Sequence, residues 1–398
     1  MALFRDNAGT RALLIIGFSS MGLPFVDWKL TVTPKSKSMF FIFTLIALWN
    51  ILSAFINGDD IKSSLIFLIG FISASFLSAF IDFDRFVLTY TKLMRILVFC
   101  ALTFFLMDLT GIRLYSYLPS LKIGLSQYYI VTTVRNYGSL KRSSSMFWEP
   151  GAYQTFLVLA YFMEDYIKQE KCNLYKVLIV ISLFTTLSTT GMVCGFGIIL
   201  FELLKTGEQN NKSGFLRAIT IIFAVIVVVM IVAYYYNDSL DYIITRNFTG
   251  KILDFRTGNI RNQSSAVRRD SIVYPLQLFL SSPIIGRGIA GLNSIRYIVG
   301  HTMVTCTPVN WFAKAGIVYG LFMTTGLWRF IRHITTSKFL SIIAFLILFV
   351  SIATENYTDN TFIIAMSLFG HVLWANQTVG EKTILPPAKL RGIDTTRR

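Results

Sequence analysis

Charge is what this chain lacks most. Only 15% of its 398 residues are Asp, Glu, Lys or Arg, against about 25% in a typical soluble chain. An apolar share of 54% and a mean hydropathy of +0.59 exclude a soluble globular protein and predict a multispanning membrane protein. Cysteine and histidine are scarce too. Cys100, Cys172, Cys194 and Cys306 are scattered over apolar runs and loop edges without ligand spacing, so neither a disulfide framework nor a zinc site is expected. His301, His333 and His371 lie far apart. No repeat period is visible and no soluble domain separates, so residues 1–398 read as one integral membrane domain. The first apolar run has no small-residue cleavage site after it, which predicts no removable signal peptide. The formal net charge of +16 sits in short loops between apolar runs. There it signals topology rather than a nucleic-acid partner.

What is present is a series of apolar runs near the ~20 residues that a spanning helix needs. They fall at about 11–26, 39–56, 64–81, 87–107, 146–163, 174–188, 190–204, 215–236, 307–328, 338–354 and 361–376. The fold class expected is an all-α polytopic membrane protein of about eleven transmembrane helices with two larger extracytoplasmic loops. Arg329, Arg332 and Lys338 mark one short loop as cytoplasmic, and the basic tail 377–398 marks the same side. Residues 354–360, with Glu355 and Asp359 and no cation, fall opposite. Working backwards, 108–145 and 237–306 become the extracytoplasmic loops. Eleven spans with an inside C-terminus leave Arg5 and Arg11 outside, against the positive-inside bias. Either 11–26 does not cross fully, which Pro24 and its shortness favour, or a further weak span exists.

The 237–306 loop is the chain's most unusual stretch. Between Tyr236 and Thr307 it carries eight cations, seven of them Arg, against four aspartates. Positive-inside bias gives no reason for an outer loop to be basic, and the planar Arg fork suits phosphate oxygens. Arg246, Arg268, Arg269 and Arg287 are therefore candidate anion contacts, against the plainer reading of a solvated connector touching lipid phosphates. The 108–145 loop is rich in tyrosine, with Tyr115, Tyr117, Tyr128, Tyr129 and Tyr137. Interfacial anchoring explains these rings more simply than stacking on sugars.

Four further stretches carry polar chemistry. Arg142–Ser–Ser–Ser–Met–Phe147–Trp–Glu149–Pro150–Gly151 opens the fifth span; Pro suits a helix start and Glu suits its dipole, which alone would explain both. Ser188–Thr189–Thr190–Gly191 forms a turn between two apolar runs, where hydroxyls can satisfy freed backbone groups. Arg268–Arg269–Asp270 precedes Ser282–Pro283–Ile–Ile–Gly286–Arg287–Gly288, whose glycines let backbone approach a ligand. Asn310 leads to Lys314 and Gly316-x-x-x-Gly320; an ionisable group that deep in an apolar run is a functional candidate, with snorkelling as the alternative. Asp82–Phe–Asp84 looks like a metal-binding pair but sits in a short cytoplasmic turn and reads as solvated.

In order and spacing, from about residue 140 to 320, these motifs resemble the bacterial O-antigen polymerase and O-antigen ligase superfamily. The resemblance implies a GT-C-type, metal-independent glycosyltransferase of the bacterial cytoplasmic membrane with no cofactor. It would act on polyprenyl-diphosphate-linked glycans at the outer face, with a chain-length regulator and a flippase of the same pathway as further partners. Ligases of the superfamily usually have Arg in the turn and His before the Asn; here Thr189–Thr190 and Val309 stand there, which favours the polymerase branch. Glu149, Arg268, Arg287 and His301 are then the expected catalytic residues, and Arg142, Arg246, Arg269, Asn310 and Lys314 the substrate-binding ones. The chemistry agrees: a lipid diphosphate leaves without a general acid, while preorganised cations stabilise its developing charge. Glu149 or His301 would polarise the acceptor hydroxyl. Two alternatives remain, a ligase moving finished glycan to another acceptor and a lipid-linked oligosaccharide flippase. A flippase should show ionisable groups lining several spans and internal repeats, whereas this chain gathers its charge in one loop.

Overall fold

The computed structural model describes residues 34–110, 120–123, 126–129, 133–137, 140–147, 149–167, 174–209, 263–299 and 304–378. They are mostly helical. In chain order the elements begin with α1 Pro34–Ile56, α2 Ile61–Phe80 and α3 Phe83–Leu109. A meander follows: β1 Ser120–Ile123, β2 Ser126–Tyr129, β3 Thr133–Tyr137 and β4 Leu140–Ser143. Then come α4 Pro150–Ile167, α5 Leu174–Thr185, α6 Thr189–Gln209, α7 Gln263–Ser281 and α8 Gly288–Val299. The last three are α9 Thr307–Ile334, α10 Lys338–Ala353 and α11 Thr361–Thr378.

Four of these helices have segments long and apolar enough to cross a membrane: Ser38–Ile56, Ile61–Phe80, Phe83–Met107 and Thr189–Gly207. Their outward faces are apolar. On α1, Phe41, Leu45, Leu48, Leu52 and Phe55 are exposed at helical spacing while Phe43, Ile46 and Ala47 are buried. That stripe is what a lipid-facing helix needs, with every backbone group bonded internally. Nine of the eleven expected spans overlap helices; 11–26 and 215–236 lie outside the described residues, as does the tail beyond 378.

Local chemistry sets the boundaries. Asp60 accepts from the Ser63 N–H at 3.1 Å to cap α2, and Ser337 accepts from Leu340 at 3.1 Å to cap α10. Gly58, at φ +65°, makes the turn between α1 and α2. Close helix contact comes from small residues. A Cβ at Gly370 would overlap the Gly326 carbonyl, so α9 and α11 meet backbone to backbone, and Ser367 donates to the Met323 carbonyl at 2.8 Å across the seam.

α4 is the central helix, buried from Ala152 through Asp165. Its C-terminal end carries a cluster of ion pairs. Arg95 forks onto Glu164 at 2.6 and 3.1 Å, Lys205 bonds Asp165 at 2.6 Å, and Lys176 bonds both Asp165 and Glu202.

Two segments read as loops carry more structure than expected. The Tyr-rich stretch contains the antiparallel sheet β1–β2–β3–β4, in which Arg135 pairs with Arg142 across β3 and β4. The all-α expectation is therefore amended by one small sheet. Residues 263–299 of the basic loop fold into α7 and α8, and Asp59 accepts from the Ile289 and Ala290 N–H groups (2.8 and 2.7 Å) at the start of α8.

Candidate functional site

The N-terminal end of α4 is where the distant motifs meet. The chain enters from β4 through a turn in which the Phe147 N–H bonds the Ser144 carbonyl at 3.0 Å. Phe147 then stacks on Tyr153 and Phe156, with ring centroids 5.4 and 4.6 Å apart. That anchor fixes Glu149, whose carbonyl accepts from the Tyr153 N–H at 3.2 Å as the helix begins. Pro150 fills the first helical position, where a missing N–H costs nothing.

A second carboxylate arrives from the turn between α10 and α11. Thr307 holds that turn twice, donating to the Glu355 carbonyl and accepting from the Tyr357 N–H, both at 2.6 Å. Tyr357 in turn donates to the Ala152 carbonyl at 3.1 Å. The Glu355 side chain is thereby laid over Gly151, where any Cβ would overlap its carboxylate. The Glu355 carboxyl thereby lies beside that of Glu149. Burial, then the neighbouring Glu149 charge, raises the Glu355 carboxyl well above the ordinary carboxylate range, against the pull of Arg268 and Arg142.

Two guanidiniums complete the group. Arg142 donates from Nε to the Thr186 carbonyl at 3.0 Å, joining β4 to the turn between α5 and α6. Arg268, on α7, faces Glu355 and Glu149 electrostatically but makes no hydrogen bond or ion pair with a described residue. Burial works against its charge and the two carboxylates work for it. The planar Arg fork suits an anion's oxygens.

The α5–α6 turn forms the floor beside this group. Leu187 adopts φ +47°, and Thr186 bonds back to the Leu183 carbonyl at 2.7 Å. Gly191 fits beneath Thr186 and Gln154, with a would-be Cβ 3.2 Å from Gln154 Oε1. Gln154 donates to Thr354 at 3.1 Å, while its Oε1 and the Ser145 hydroxyl are buried without a partner among the described residues.

The other expected residues lie around this centre. Arg269 is part-exposed and bonds Asp270 at 3.2 Å. Arg287 is exposed and bonds Ser281 at 3.0 Å. Asn310 donates to Thr358 at 3.2 Å and so tethers the Glu355 turn. Lys314 is buried on α9, bonding Asp359 at 2.7 Å and lying 3.2 Å over the Phe67 ring. His301 and Arg246 lie outside the described residues.

Lys314 sits at a break. Ala315 and Gly316 leave helical geometry, with Gly316 at φ +76° and ψ −171°. The Pro283–Arg287 loop fills it: the Arg287 N–H bonds the Ala313 carbonyl and the Ile317 N–H bonds the Pro283 carbonyl, both at 2.8 Å. Trp49 donates to the Ala315 carbonyl at 2.8 Å, and Ser53 to those of Ile285 and Lys314. The opened helix is therefore satisfied by a partner loop.

Glu355 was missed as a site residue in the sequence. Its signal was there, a carboxylate between two apolar runs in a turn without cations. Among the described residues no three His, Cys, Asp or Glu side chains gather as metal ligands would. The site's charge carriers are two carboxylates and two guanidiniums. Compared with known proteins, the chain matches no family model, no curated protein and no solved structure.

Proposed function

We propose that this chain is a membrane glycosyltransferase that polymerises a surface polysaccharide. It joins polyprenyl-diphosphate-linked repeat units at the outer face of the bacterial cytoplasmic membrane, in a GT-C-like bundle of about eleven spans. The observation that carries this reading is the Arg268 guanidinium, which faces the neighbouring Glu149 and Glu355 carboxyls and bonds no described residue.

The residues divide the work by charge. Arg268, with Arg269 and Arg246 of the same basic loop, takes the diphosphate of the donor. Arg287 is retained from the family resemblance as a further diphosphate contact. Glu149 receives the proton of the acceptor hydroxyl while its oxygen bonds to the anomeric carbon. The bond from that carbon to the diphosphate breaks, and its electron pair leaves on the diphosphate that Arg268 neutralises. Positioned bases contribute about 10²- to 10⁴-fold, and a preorganised donor to a developing anion about 10²- to 10³-fold. Asn310 and Lys314 act one step back, by holding the Glu355 turn and the broken helix. His301 is the alternative base.

One observation favours a second reading. Transporters use broken helices and paired intramembrane charges, and α9 breaks beside Lys314, which bonds Asp359. Radiolabelled lipid-linked repeat units with the purified chain in liposomes separate the readings. A polymerase lengthens the glycan on its lipid, a ligase moves it to another acceptor, and a flippase changes only its leaflet. Unchanged glycan length with leaflet exchange overturns the polymerase.

A further inference from the structure

The corner between α7 and α8 is held by its main chain. Its Pro283 carbonyl and Arg287 N–H bond α9 across the break, at 2.8 Å each. From the end of α1, Ser53 and Asn57 donate to the Ile285 and Gly286 carbonyls at 2.8 and 3.3 Å. Asp59 accepts from the Ile289 and Ala290 N–H groups at 2.8 and 2.7 Å. Gly286 and Gly288 take φ +79° and +67°, and a Cβ on them would overlap the Lys314 carbonyl and the Asp59 carboxylate. Between these glycines the Arg287 side chain is exposed. Its Nε donates to Ser281 at 3.0 Å, and its two terminal nitrogens bond no described residue.

The corner lies at a membrane surface, because Asn57 and Asp59 directly follow Ser38–Ile56, a segment able to cross the bilayer. The Glu149–Glu355 centre is at the same surface. Lys314 ties the two, accepting from Ser53 at its carbonyl and bonding Asp359 of the Glu355 turn. Arg268 and Arg287 therefore share one level and stand apart along it. With about 1.5 Å of rise per residue, α7 from Arg268 to Ser281 covers roughly 20 Å. Two phosphoryl groups joined through one oxygen do not bridge that gap. The proposed reaction, however, uses two lipid diphosphates. The donor's is expelled, while the acceptor's stays on its own first sugar. The attacking hydroxyl lies elsewhere in the acceptor unit, so the acceptor's diphosphate belongs away from Arg268.

We propose that the α7–α8 corner is a second lipid-diphosphate site, where Arg287 holds the diphosphate of the acceptor. The site rests on the glycosyltransferase reading and anchors that reaction's second substrate. The Arg287 fork takes phosphate oxygens. Leu276, Leu280 and Ile284, exposed at four-residue spacing beside it, carry the polyprenyl tail.

The purified full chain in phosphatidylcholine nanodiscs is titrated with glycan-free polyprenyl diphosphate, and bound lipids are counted by native mass spectrometry. Two per wild-type chain are expected, and one in Arg287→Ala or Arg268→Ala. Because main-chain bonds hold the corner, Arg287→Ala should fold normally. One lipid in the wild type, or two in Arg287→Ala, overturns the second site. Displacement of the second lipid by excess phosphatidylglycerol also overturns it, since any anionic headgroup would then suffice. Chain extension assigns the substrate. The donor is a repeat unit with its acceptor hydroxyl methylated. The acceptor has a methylene in place of its sugar–phosphate oxygen, so it cannot donate. Arg287→Ala should raise KM for the acceptor about tenfold or more, through lost charged hydrogen bonds. A rise for the donor alone overturns the assignment. If the wild type binds two lipids but extends no glycan, the glycosyltransferase reading fails, and the lipid count still decides the second site.

Discussion

Arg268 has two carboxylates in electrostatic reach and bonds no described residue, and its fork suits an anion. Lysine would keep the charge and lose the bidentate fork. Arg268→Lys should therefore cost about 10²-fold in chain extension with normal membrane insertion, and Arg268→Ala at least as much. Near-normal polymer from both variants removes Arg268 from the diphosphate site. Gly151→Ala tests the other side of the centre. Its methyl group would displace the Glu355 carboxylate, so activity should drop while purified yield holds; full activity would show that the slot is irrelevant. At this scale the sequence was half legible. Glu149 stood out because it precedes Pro150 at the head of an apolar run. Glu355 did not, because what makes it chemical is its landing on Gly151, more than two hundred residues away.

At the scale of elements, the apolar runs marked where helices stand, since lipid or core must cover each apolar face. They did not mark the break in α9. Gly316 was read as part of a spacing motif, yet its conformation depends on Ile284 and Ile285 pressing into the helix from a separate loop. The small sheet escaped for a related reason: strands of four or five residues carry too little alternation to outweigh an interfacial-anchor reading. Gly316→Ala forces an L-residue to φ +76° against the Ile284 carbonyl. It should cost at least about 1–3 kcal/mol, seen as a lower thermal midpoint in detergent. An unchanged midpoint would mean that the loop and helix separate freely. The charged cluster at the far end of α4 gives a second test. Asp165→Asn leaves Lys176 and Lys205 without their shared carboxylate in a buried setting. About 3–5 kcal/mol should be lost, with chain extension by the surviving folded protein unaffected.

For the whole molecule, the two ends of the bundle differ in what their charges do. At the C-terminal end of α4, Glu164, Asp165 and Glu202 each have a cation on them, as a structural clamp requires. At the N-terminal end Glu149 and Glu355 lie side by side, and Arg268 faces both and bonds no described residue. The proposed reaction needs the second end to face away from the cytoplasm, where lipid-linked repeat units are polymerised. Residues 263–264 begin α7 beside that end, and Thr336 lies exposed between α9 and α10 at the other. The test uses a chain with Cys100 and Cys172 replaced by Ser, since Cys194 and Cys306 are buried. Ser264→Cys should react with a membrane-impermeant maleimide in intact spheroplasts, and Thr336→Cys only after the membrane is disrupted. The charge pattern supports this outcome, because Arg329, Arg332 and Lys338 flank Thr336 and cations concentrate on the cytoplasmic side. The reverse labelling would turn the acid pair and Arg268 toward the cytoplasm. A donor presented at the outer leaflet could not then reach them, and the polymerase would have to be abandoned even with the site geometry intact.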